Sequence, residues 1–76
     1  MIKVRIIFMG YLKDRYLKDT FELSYEKPVK VHEVLRDAKI SSIDTSIITI
    51  GGVIVPEDFL IKEAVEVKLF PFIDGG

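Results

Sequence analysis

The sequence contains no cysteine and a single histidine, His32. The first absence excludes disulfides, thiolate metal sites and side-chain thiol catalysis. The second leaves His32 without the partners that a catalytic dyad or an ordinary zinc site requires, so it reads as a solvated surface residue. An excess of either charge is missing too: eleven Lys and Arg face twelve Asp and Glu, for a net charge of −1. Such a balance provides no strong field to steer the chain toward nucleic acid or an anionic membrane. Nor is there a basic stripe or aromatic platform of the kind that binds RNA. No apolar run approaches the length of a membrane span, and Lys3 and Arg5 interrupt the first apolar stretch, unlike a signal peptide. The expectation is a soluble, cytoplasmic protein that does not bind membranes, nucleic acid or metal directly. With the usual catalytic side chains so sparse, it is also expected not to be an enzyme.

What is present is enough for one small domain. The chain has 76 residues, of which 49% are apolar, too many for a disordered segment. A chain this short buries only about 60% of the surface its unfolded form exposes, so modest stability is expected.

Ile2 to Met9 alternates, with Ile2, Val4, Ile6 and Phe8 on one face, and predicts a first strand that ends at Gly10. Residues 11–17 allow a helical turn or a long hairpin loop. Thr20 to Tyr25 predicts a second strand with Phe21, Leu23 and Tyr25 on one side, closed by Glu26-Lys27-Pro28 and antiparallel to the first. Val31 to Lys39 carries the helical period: Val31, Val34, Leu35 and Ala38 form one apolar stripe. No capping side chain precedes Val31, so the helix must be held by packing. Residues 40–45 read as a linker.

Ser46 to Ile50, the turn Gly51-Gly52 and Val53 to Val55 predict a hairpin that Pro56 stops. No helix follows the two glycines, so a phosphate-binding reading of them fails. Phe59, Leu60 and Ile61 would anchor the next connection. A last strand then places Val65, Val67 and Leu69 inward. One-sided alternation throughout predicts an α+β layout, a sheet covered on one face by the helix.

The ending is the most unusual stretch. Pro71 has no N–H for a ladder, so pairing should weaken or stop there. This divides the chain into a domain over residues 1–70 and a flexible tail over residues 71–76. Fully stretched, Pro71-Phe72-Ile73-Asp74-Gly75-Gly76 reaches roughly 20 Å at about 3.3 Å per residue. Terminal glycines are often frayed, yet two in succession end a random chain only about once in 200 cases. Here they follow a strand, a proline and the apolar pair Phe72-Ile73, with only Asp74 between and no polar linker. If this chain takes part in chemistry, its terminal carboxylate is the leading candidate.

Leu69-Phe70-Pro71-Phe72-Ile73-Asp74-Gly75-Gly76, with Ile2-Lys3-Val4-Arg5-Ile6-Ile7-Phe8 and the Ile50-Gly51-Gly52 turn, resembles the MoaD/ThiS family of sulfur carriers. The likeness runs over most of the chain and is closer to the molybdopterin-synthase small subunit than to the thiamine carrier. The sequence departs from the common pattern at Phe72, where a second proline is frequent, and at Glu63-Ala64-Val65, where a Gly-Asp pair is usual. The resemblance implies the ubiquitin-like β-grasp fold, a mixed sheet of four to five strands with one main helix on one face. It implies that Gly76 is the reacting residue, adenylated and then converted to a thiocarboxylate. Phe70, Pro71, Phe72, Ile73, Asp74 and Gly75 would then engage partners.

Those partners would be a ubiquitin-activating-type adenylating enzyme (MoeB/ThiF-like), which uses ATP and Mg, and a molybdopterin synthase large subunit (MoaE-like) or another sulfur acceptor enzyme. No cofactor would be bound by this chain. Other destinations for the sulfur are a thiamine thiazole precursor or a tRNA. Two further readings are a ubiquitin-like modifier joined to proteins through Gly76 and a purely non-covalent interaction module.

Overall fold

A computed structural model describes residues 1–41 and 44–72. The alternating opening forms β1 (Ile2–Phe8), and Val4, Ile6 and Phe8 are buried. Gly10, at φ +59, turns the chain out of the sheet into a five-residue helix, α1 (Leu12–Tyr16). Of the two alternatives open for this segment, the helix forms, anchored by Leu12, which is fully buried. Its end is left-handed at Leu17, φ 57.

The chain returns as β2 (Thr20–Tyr25), antiparallel to β1 in the register Ile2↔Tyr25 to Ile7↔Thr20. β2 ends at Tyr25, and Glu26-Lys27-Pro28 closes it as expected. A two-residue strand, β3 (Val29–Lys30), follows it and runs straight into α2 (Val31–Asp37).

The start of α2 lacks a side-chain cap, yet its first amides are satisfied. Val31 N–H donates to the Phe59 carbonyl at 3.0 Å and His32 N–H to the Glu57 carbonyl at 2.8 Å. Backbone from a distant loop thus replaces the missing Ser or Asp. The helix ends at Asp37, two residues before the periodicity suggests, because Lys39 turns left-handed at φ 60. Lys39 N–H then bonds the Arg36 carbonyl and Ile40 N–H the Leu35 carbonyl, at 3.0 and 2.9 Å. These two bonds define a Schellman ending, with a lysine at the position glycine usually fills.

β4 (Thr45–Ile50) and β5 (Val53–Ile54) form the expected hairpin. Gly51 and Gly52 have φ of +60 and +79, the two positive angles that a type I′ turn demands. β6 (Leu60–Ile61) pairs with β3 in a separate two-stranded ladder. Of the three residues expected to anchor this connection, Ile61 is buried, whereas Phe59 and Leu60 are each 39% exposed.

The last strand, β7 (Val65–Pro71), enters between β1 and β4 to give the sheet order β2-β1-β7-β4-β5. It is parallel to β1 and antiparallel to β4, so the sheet is mixed. A parallel pair needs a long crossover, and the whole middle of the chain supplies it. α2 packs over one face, where Val31, Val34 and Leu35 meet Val4, Ile6, Val67 and Leu69 in a single core. Each such side chain contributes about 1.5–3 kcal/mol when fully buried. Among the described residues no helix is long and apolar enough to cross a membrane.

Candidate functional site

The end of β7 lies at the middle of the sheet and is held from both sides. On the β4 side the ladder is regular from Ile50↔Val67 to Ile47↔Phe70, then shifts register before Thr45↔Pro71. The strand therefore runs through Pro71, which still pairs with Thr45 across an irregularity in β4 at Ser46. On the β1 side, Met9 N–H donates to the Leu69 carbonyl at 3.0 Å, carrying the parallel ladder one residue past β1. Gly10 then comes so close to Pro71 that a Cβ on it would stand 3.0 Å from Pro71 Cγ. One residue further, the Tyr11 hydroxyl donates to the Phe72 carbonyl at 3.1 Å.

The sequence-predicted residues thus separate into two groups. Phe70 is half-buried on the outer face of the sheet, paired across from Ile47; Pro71 closes the strand; Phe72 is 53% exposed just beyond it. Ile73, Asp74, Gly75 and Gly76 lie outside the described residues. Sequence reasoning missed Tyr11 and Gly10 as partners of this stretch. The glycine was visible as a strand breaker, but nothing local in the sequence indicates a contact 61 residues away.

The outer face changes character along the strands. Toward the start of β7, Arg5 binds Glu22 through Nε and Nη2 at 3.1 and 2.9 Å and reaches Glu66 at 3.5 Å. These charges are about half exposed, so the cluster adds little to stability and mainly keeps that end wet. Toward the end of β7 the same face presents Ile7, Ile47 and Phe70, with Ile47 41% exposed. The open face is charged toward the start of β7, carries Lys68 beside Ile7 midway, and is apolar at Phe70 and Ile47 near the end of β7.

Behind this exit, α1 is locked to the loop that precedes β4. Tyr16 stacks on Phe8 with ring centroids 5.2 Å apart, and its hydroxyl donates to Asp44 Oδ2 at 2.6 Å. Arg15 Nε meets the same oxygen at 3.0 Å. The hydrogen bond from Tyr16, then that from Arg15, lowers the Asp44 pKa from the ordinary carboxylate value. Among the described residues no group of three or more His, Asp or Glu could hold a metal ion.

This arrangement superposes on known small proteins. The fold is a ubiquitin-like β-grasp. A putative molybdopterin converting factor, subunit 1, from Pyrococcus furiosus superposes with a TM-score of 0.78 at 17% identity, over 96% of this chain and 100% of that one. A crystal structure of SAMP1 from Haloferax volcanii gives 0.75 at 13% identity, over 97% and 99%. One of the H. volcanii small archaeal modifier protein 1 gives 0.74 at 11% identity, over 96% and 100%. At these identities the shared property is the β-grasp itself. No protein-family model matches the sequence, and no curated protein does. In this β-grasp, the exit of the last strand is the place where an apolar surface, a turn residue and a hydrogen-bond donor converge.

Proposed function

We propose that this chain is a sulfur carrier whose Gly76 carboxyl is activated and loaded with sulfur by other proteins. The observation that carries the reading is the placement of β7: its end is clamped at Pro71 and Phe72, beside the apolar end of the open face and immediately before Ile73-Asp74-Gly75-Gly76 in the sequence. The rigid body holds the root of the tail, and glycines without a Cβ suit a narrow channel in a partner. The β-grasp neighbour named as a molybdopterin converting factor subunit supports the same reading.

A carboxylate is a poor electrophile, so the chemistry requires a leaving group. A carboxylate oxygen of Gly76 attacks the α-phosphorus of ATP on an adenylating enzyme, and pyrophosphate departs. Sulfur at the oxidation level of sulfide then attacks the carbonyl carbon, AMP departs, and a thiocarboxylate remains. ATP and its magnesium belong to the activating partner. Phe70 and Phe72 provide the apolar contact with that partner, each worth about 1.5–3 kcal/mol if fully buried. The acceptor favoured by the sequence resemblance is a molybdopterin precursor held by a larger synthase subunit.

A second reading, conjugation of Gly76 to lysines of other proteins, is favoured by the H. volcanii neighbour named as a small archaeal modifier protein. Removal of Gly75 and Gly76 tests both. The truncated protein should keep its thermal midpoint, because the described core ends at Leu69, and should lose all ATP–pyrophosphate exchange with its activating enzyme. Exchange that survives the truncation contradicts the proposal.

A further inference from the structure

We propose that Tyr11 is a positioning residue that fixes the direction in which the chain leaves the domain after Phe72; its consequence for activation rests on the carrier reading above. The Tyr11 backbone already has a task, since its carbonyl accepts from Asp14 and Arg15 N–H, both at 3.1 Å, at the start of α1. The side chain has a different one. It is 53% exposed, takes no part in capping the helix, and its hydroxyl reaches across 61 residues of sequence to the Phe72 carbonyl at 3.1 Å.

That carbonyl lies one residue beyond the last paired position, Pro71, where the sheet no longer holds the backbone. A peptide unit is planar, so fixing one carbonyl fixes the orientation of the whole unit that follows Phe72. The two contacts just before it, Met9 with Leu69 and Gly10 against Pro71, make the β1–α1 turn a bracket whose outermost point is the phenol. A tail whose root is already oriented loses less freedom on entering a partner's channel. The hydroxyl should therefore favour productive docking and leave the chemical steps alone.

Tyr11→Phe keeps the ring and the helix start and removes only the donor. Two measurements on the whole chain decide the matter. In isotopically labelled protein, the Phe72 carbonyl 13C shift should move and the Phe72 backbone order parameter should fall, with the thermal midpoint unchanged. In ATP–pyrophosphate exchange with a ubiquitin-activating-type enzyme, KM for the chain should rise about two- to fivefold, the weight of one exposed hydrogen bond, at constant kcat. An unchanged Phe72 overturns the proposal, as does an unchanged KM beside a loosened Phe72. A raised KM with Phe72 still ordered also overturns it, since the phenol would then act on the partner itself. If the wild-type chain supports no exchange, the carrier reading fails, and the NMR measurement still decides whether Tyr11 holds Phe72.

Discussion

Replacing Gly10 with alanine tests how the exit of β7 is built. Gly10 has φ +59, a conformation that opposes an L side chain by about 1–2 kcal/mol. Alanine also stiffens the unfolded chain, which offsets about 0.4–1 kcal/mol of this. The backbone contribution alone is therefore about 1 kcal/mol of destabilisation.

A second contribution is specific to this position. The new Cβ would stand 3.0 Å from Pro71 Cγ and 3.3 Å from Cδ, so the ring must give by a few tenths of an ångström. Overpacking of this kind lies at the low end of about 1–3 kcal/mol. Gly51 separates the two effects, since it has φ +60 and nothing within 4 Å of an added Cβ. In urea unfolding, Gly51→Ala should be destabilising by about 1 kcal/mol and Gly10→Ala by about 2 kcal/mol, out of roughly 4–11 kcal/mol expected for a domain of this length.

Pro71→Ala closes the cycle by removing Cγ and Cδ. In that background Gly10→Ala should fall to the Gly51→Ala value, a coupling of about 1 kcal/mol. If Gly10→Ala is equally destabilising with and without the proline ring, the bracket at the strand end does not exist as described.

Two further predictions concern the body of the domain. Leu17 is left-handed at φ 57 and 88% exposed, so Leu17→Gly relieves strain and loses no buried contact. It should raise the thermal midpoint by about 2–8 °C, from a gain of roughly 0.5–1 kcal/mol; a lower midpoint would show that Leu17 makes a contact that matters. Hydrogen bonds from Tyr16 and Arg15 hold the folded Asp44 pKa below the ordinary carboxylate value it has in the unfolded chain. A lowered pKa means stability that is complete above the unfolded pKa and lost as pH falls through the folded one. As pH falls below the ordinary carboxylate range the wild type should therefore lose stability more steeply than Asp44→Asn, as measured by denaturant midpoints across pH; parallel curves would count against the Asp44 cluster.

How much was legible in the sequence depended on whether the determinants were local. β1, β2 and β7 each alternate over six or seven residues against one core, and α2 carries a stripe whose members are all at least partly buried. The Gly51-Gly52 pair indicated its own turn because glycine takes the two successive positive φ angles of a type I′ turn without steric cost. The ladder of β3 and β6 went unread because each strand has two residues, and their pairing, Val29↔Ile61 and Lys30↔Leu60, is set by the rest of the fold.

The start of α2 was unreadable for the same reason: its caps are carbonyls of Glu57 and Phe59, and every residue has a carbonyl. Lys39 hid the end of α2, since a lysine in a left-handed turn continues the helical pattern by composition and breaks it by geometry. At the candidate site, Phe70, Pro71 and Phe72 were named through the resemblance that the chain's ending carries, whereas the Tyr11 contact with Phe72 became visible only when folding brought β1 and β7 together.

The most direct test of the carrier account is the intact mass of the protein after incubation with a ubiquitin-activating-type enzyme, ATP, magnesium and a sulfide donor. The account predicts one oxygen exchanged for sulfur, located at Gly76 by fragmentation and absent from the chain lacking Gly75 and Gly76. An unmodified terminus despite an active enzyme, or sulfur located anywhere else in the chain, contradicts it.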